Sequence, residues 1–174
     1  MGQARLNLKS ITAMIVDRDP FTRGLVAQMM RGFGSTTILI ADTGAEAQGV
    51  LGGNCPDIIF IEGELPDMVA GELVNWIRRH ANKSLRFVPI IVLSGYTQLR
   101  LISSARDAGS HLVVRKPVSP QVLFDRLKWV AGFDRPFVET PKYAGPDRRF
   151  HAVPPPDGVR KRVTDQSQPV TLQA

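Results

Sequence analysis

An α/β fold built on a parallel sheet is what this sequence predicts, and three observations predict it. Short apolar runs alternate strictly with amphipathic segments, the connections between them are short, and five such pairs are complete by residue 131. Strands joined through helices run parallel with right-handed crossovers, giving an open sheet covered by helices on both faces. The 174 residues, 43% hydrophobic and 22% charged, suit one globular domain with length to spare and exclude a collagenous, wholly disordered or multi-domain chain.

Residues 11–16 form a mostly apolar run ending at Asp17, as a strand buried on both faces would. Pro20 suits the first turn of a helix, and Phe21, Leu25, Met29 and Phe33 recur at helical spacing until Gly32 and Gly34 stop the pattern. These rings and the methionines Met14, Met29 and Met30 read as core. Residues 36–41 read as a strand and 44–51 as a helix ended by Gly52-Gly53. An apolar strand over 57–61 and a helix over 69–80 follow. The most continuous strand is 88–93, then come a polar helix near 98–108, a weak strand at 111–114 and a last helix from Pro120 to about Val130. The domain is expected over 9–131.

Residues 132–174 differ. The forty residues after Asp134 hold 7 basic and 4 acidic residues, half of the net charge of +6, and 7 of the 13 prolines. Their apolar residues show neither period, so the tail is expected to be extended or disordered, with too few residues for an output domain. Arg148-Arg149 and Arg160-Lys161-Arg162, near Tyr143 and Phe150, allow a nucleic-acid contact, weak and salt-sensitive at best with so few charges. A solvated tail or a docking peptide are the other readings. Cys55 has no partner for an internal disulfide and no paired histidine, His80, His111 and His151 have no zinc spacing, and the N-terminus lacks a signal-peptide pattern. No apolar run approaches a bilayer span, and the cytoplasm is the expected compartment.

In sheets of this kind the reactive groups gather at the carboxyl ends of strands. Those ends carry Asp17-Arg18-Asp19, Glu62-Gly63-Glu64-Leu65-Pro66, Ser94-Gly95 and Arg115-Lys116-Pro117. Acids on two strand ends, a hydroxyl on a third and a lysine on a fourth suit a divalent cation and a phosphoryl group. No glycine-rich phosphate loop follows any strand, which argues against a flavin or nucleotide enzyme.

Those landmarks, with Pro66 four residues after Glu62, Gly71 opening the third helix and the Lys116-Pro117 pair, resemble the receiver domain of response regulators over residues 9–131. The resemblance implies a flavodoxin-like (βα)5 fold of strand order 2-1-3-4-5, a cis bond at Lys116-Pro117, and a histidine kinase, phosphotransferase or other signalling protein as partner, a homodimer also being compatible. The segment around Gly145-Pro-Asp-Arg-Arg149 resembles an element that follows some stand-alone receivers.

The departures carry the functional expectation. Glu62 stands where the resemblance places the phosphoacceptor aspartate, Arg18 where the second acid of the metal-binding pair belongs, and Val113 where many receivers have a switch aromatic. Glutamate is one methylene longer, which moves the carboxylate out of in-line geometry and into the phosphoryl oxygens' space. An Arg18 pair with Glu62 or Glu64 could take the place of a metal, a solvated arginine being the other reading, so at most weak magnesium binding at Asp17 and Glu62 is expected. With no phosphate, Ser94 and Lys116 are free to bond Glu62. Asp19 reads equally as a helix cap or a site member. A degenerate, non-enzymatic receiver acting by protein contact is the favoured reading, ahead of a working phosphoacceptor.

Overall fold

The computed structural model describes residues 8–95, 99–132 and 135–148. Along the chain run β1 (Thr12–Val16), α1 (Pro20–Gly32), β2 (Thr37–Ala41), α2 (Gly44–Gly53), β3 (Ile58–Glu62), α3 (Ala70–Arg78), α4 (Lys83–Phe87), β4 (Ile90–Ser94), α5 (Leu99–Asp107), β5 (Leu112–Arg115), α6 (Pro120–Gly132), β6 (Phe137–Glu139) and β7 (Ala144–Pro146). The first five strands form one parallel sheet in the order β2-β1-β3-β4-β5, the flavodoxin-like order expected from the sequence.

Strand side chains alternate between two cores because successive residues point to opposite faces. Ala13, Ile15, Phe60 and Leu93 pack under α1 and α6, whereas Met14, Val16, Ile61 and Val92 pack under α2, α3 and α5. β3 and β4 are buried along their whole length, which is why they read as unbroken apolar runs. Each fully buried Ile or Phe there contributes about 1.5–3 kcal/mol of transfer free energy.

Three local features depart from the sequence reading. A single helical turn, α4, stands between α3 and β4; its one buried apolar residue, Leu85, is too little to register as a period. In α1 the buried stripe is Val26, Ala27, Met29 and Met30, so the expected core stripe is rotated: Phe21 is 77% exposed and Leu25 38%. Phe33 does pack against the core, its ring tilted against that of Phe124.

The third departure is the segment after α6, which is not a disordered tail through residue 148. β6 and β7 pair antiparallel as a hairpin whose turn is closed by reciprocal bonds between the Thr140 and Tyr143 backbones. Strands of three residues are too short to show a period of two. The hairpin seats at the amino-terminal edge of β4 and β5, opposite the strand ends discussed above. There Gly109, at φ +105°, lies against Gly145; a Cβ on Gly145 would stand 2.6 Å from the Gly109 Cα. Phe137 packs edge-on against Phe87, Glu139 pairs with Arg86, and the Arg148 guanidinium bonds Asp107 at 2.6 Å while lying over the Tyr143 ring. Arg149, Phe150, His151, the proline run and the Arg160-Lys161-Arg162 cluster lie outside the described residues.

Beneath the hairpin sits Arg78, fully buried at the end of α3. Its guanidinium donates to the carbonyls of Gly109, Arg86 and Val88 at 2.7–2.9 Å, contacts His111 Nδ1 at 3.2 Å, and lies 5.7 Å from the centre of the Phe137 ring. Burial pulls its pKa down to about 9. Burial and the neighbouring Arg78 and Arg135 cations hold the His111 pKa well below its ordinary value, so the ring is neutral. Two donors, the Ile90 N–H at 3.1 Å and the Arg78 guanidinium, face Nδ1 and make it the accepting nitrogen.

Candidate functional site

β1, β3, β4 and β5 end side by side, so the residues that follow them share one rim of the sheet. Asp17 (2% exposed), Glu62 (9%) and Ser94 (2%) are all buried there. Lys116 reaches into the same space: its ammonium bonds Asp17 Oδ2 at 2.6 Å and also Glu62 Oε2. The Lys116-Pro117 peptide is cis. Four sequence-predicted residues, Asp17, Glu62, Ser94 and Lys116, are therefore brought together, and the lysine joins the two carboxylates.

The loops that deliver these groups are built locally. Asp17 accepts from the Asp19 N–H at 2.8 Å, which folds the turn after β1. Asp19 caps α1: its carboxylate accepts from the Thr22 hydroxyl and from the Phe21 and Thr22 N–H groups, and the Thr22 hydroxyl foremost lowers its pKa. Of the two readings of Asp19, cap and site member, the structure shows the cap. After β3, Gly63 leaves room for Ser94, whose Oγ would stand 2.8 Å from a Cβ at that position. Gly71 does the same between α3 and α5, where a Cβ would meet Ser104 Oγ at 2.6 Å. Asp67 accepts from the Gly44 and Ala45 N–H groups at the start of α2, and those bonds lower its pKa.

Other expectations fare differently. Arg18 is exposed, as in its solvated reading, and among the described residues it forms no ion pair with Glu62 or Glu64; the bond to Glu62 is the one expected of Lys116. Arg18 lies exposed on the turn after β1, whereas Lys116, directly after β5, places its ammonium on both buried carboxylates. Glu64 is half-buried in a loop bridged to Val69 and stays outside the ion-pair cluster. Val113 packs partly buried against the core on the α3 and α5 side. Arg23 was not foreseen: its Nη1 donates to the Asp17 carbonyl at 2.5 Å and pairs with Asp42 at 2.8 Å, pinning the turn after β1 to the end of β2. Asp42 directly after the second strand was the available signal.

The donor set does not fit a divalent cation. Two carboxylates face inward, both are held by one ammonium, and the position beside Asp17 that could add a third acid is Arg18. Among the described residues no group of three or more His, Cys, Asp or Glu side chains could hold a metal ion. No helix among them is long and apolar enough to cross a membrane.

Next to the ion-pair cluster lies a cavity of about 330 Å³ between α1 and the turn after β5, lined by Phe21, Leu25, Val26, Leu93, Pro117 and Val118 among others. The outward turn of Phe21 and Leu25 thus has a structural counterpart.

Residues 13–128 match the family model of the response regulator receiver domain. The chain is 30% identical over 105 residues to the Regulator of RpoS of Escherichia coli K12, a match covering 60% of this chain but only 30% of that protein. It is 26% identical over 115 residues to the chemotaxis protein CheY of Pseudomonas aeruginosa, covering 66% of this chain and 91% of that one. The high-resolution structure of the chemotaxis response regulator CheY4 of Vibrio cholerae superposes with a TM-score of 0.64 at 23% identity, over 70% of this chain and 99% of that one. Strand order, the gathering of Asp17, Ser94 and Lys116 at one rim, and a family match over two thirds of the length agree: this chain belongs to the response regulator receiver family.

Proposed function

We propose that this receiver is an atypical one in a two-component or phosphorelay pathway, working through protein contact and not by accepting a phosphoryl group. One observation carries the reading: the Lys116 ammonium already bridges Asp17 and Glu62. A lysine reaching this rim is suited to bond an incoming phosphoryl oxygen. Here the longer Glu62 side chain brings its own carboxylate oxygen to that ammonium, so the site is satisfied from within. Glu62 then holds the domain in one state, and signalling depends on who binds that state.

The binding face we assign is the exposed Phe21 and Leu25 edge of α1 with the adjoining cavity, because large apolar side chains left in water beside a cleft are a recognition feature. A histidine kinase or phosphotransferase is the partner class, in the cytoplasm. The nucleic-acid alternative is weakened by Arg148 and Arg135, which lie over the Tyr143 and Trp129 rings.

Calorimetric titration with magnesium chloride tests this directly. The wild-type protein is expected to give no saturable heat, and the Arg18→Asp, Glu62→Asp double variant to give it. Saturable, millimolar or tighter binding to the wild type would contradict the reading.

A further inference from the structure

We propose that the β6–β7 hairpin is an intramolecular clamp that sets the position of α5, the helix that follows the Ser94 end of β4. The fold does not need the hairpin to close: the family match ends at residue 128, and nearly all of the P. aeruginosa relative is matched by 66% of this chain. The hairpin is an addition, yet it is seated with care.

The reason for singling out α5 is its weak hold on the core. Of its described side chains only Ala105 is buried, whereas α3 buries six of its nine residues. Helices with few buried apolar contacts belong to the low-stability end of a structure and move first. What fixes α5 lies at two places. Along its length, Gly71 lets α3 approach Ser104. At its carboxyl end, the hairpin takes over: Arg148 bonds Asp107 at 2.6 Å, and Gly109, two residues beyond the helix, is covered so closely that a Cβ there would lie 2.2 Å from the Ala144 carbonyl oxygen.

The same hairpin is anchored to elements that do not depend on α5. Arg79 on the α3 side donates to the Pro141 carbonyl at 3.0 Å, and Arg86 pairs with Glu139. The clamp therefore ties the far end of α5 to α3 and α4. Any partner that lifts the hairpin frees a helix whose chain leads directly back to Ser94 and the Lys116 cluster.

Hydrogen exchange read by mass spectrometry on the full chain tests the clamp. In Gly145→Leu the side chain collides with Gly109 and the hairpin cannot seat; Glu139→Arg, a milder variant on an exposed position, places like charge against Arg86. In both, peptides covering 99–109 are expected to exchange about tenfold faster while peptides of β1, β3 and α1 keep their wild-type rates. Faster exchange confined to 135–148 would overturn the proposal, and so would uniform acceleration through β1 and β3, which would make the hairpin a general stabilising element. Should Gly145→Leu not fold, Glu139→Arg alone decides between these results.

Discussion

Replacing Lys116 with methionine is expected to lower the unfolding free energy by about 3–5 kcal/mol, the usual cost of removing one partner of a buried ion pair. The size follows from the surroundings. The side chains of Asp17, Glu62 and Lys116 are 3%, 11% and 17% exposed, so water screens little of the charge left behind. Two carboxylates would then face each other with no cation between them. Denaturant midpoints in buffer free of divalent cations measure the loss. The double variant Lys116→Met, Glu62→Gln is expected to recover part of it, since only Asp17 then remains charged. Equal losses in the single and double variants would show that Glu62 does not share the lysine.

Arg78→Met is expected to cost about 3–4 kcal/mol by a different route. The carbonyls of Gly109, Arg86 and Val88 lose their donor, and each buried acceptor left unmet costs about 1–3 kcal/mol. Relief from burying a cation offsets part of this, because the pKa drawn down to about 9 records an unfavourable environment for the charge. Lysine at this position cannot reach all of the acceptors with one ammonium, so Arg78→Lys should fall between wild type and methionine. Thermal unfolding of the three proteins side by side is the check. A methionine variant as stable as wild type would mean that water enters and satisfies these carbonyls.

Much of the sheet was legible because buried strands leave an unmistakable signature: β3 and β4 are apolar along nearly their whole length, and each ends at a chemically distinct residue, Glu62 or Ser94. The site was legible for the same reason, since parallel topology sends every strand end to one rim. What the pattern could not give was phase and partner. Phe21, Leu25 and Met29 obey a helical spacing, but so do Val26, Met29 and Met30, and only the sheet decides which stripe turns inward. Arg18 and Lys116 both offered a positive charge to Glu62; which one reaches it depends on the depth of each backbone at the rim, which composition does not encode.

Arg78 was missed because a basic residue closing a helix reads as a solvated terminus favourable to the helix dipole. Its spacing held the contrary signal: it lies four residues after Val74 and one after Ile77, inside the buried stripe of α3. The hairpin was missed because its anchors are glycines 109 and 145, far apart in sequence, and three-residue strands too short to carry a pattern.

The measurement that bears most directly on a site satisfied from within is intact-mass spectrometry of the protein incubated with magnesium and a small phosphoryl donor such as acetyl phosphate. No phosphoryl adduct is predicted on the wild type, and one is predicted on the Arg18→Asp, Glu62→Asp variant, where an acid pair and a shorter acceptor are restored. A phosphoryl adduct on the wild-type chain would contradict the account and make this a working member of a phosphorelay.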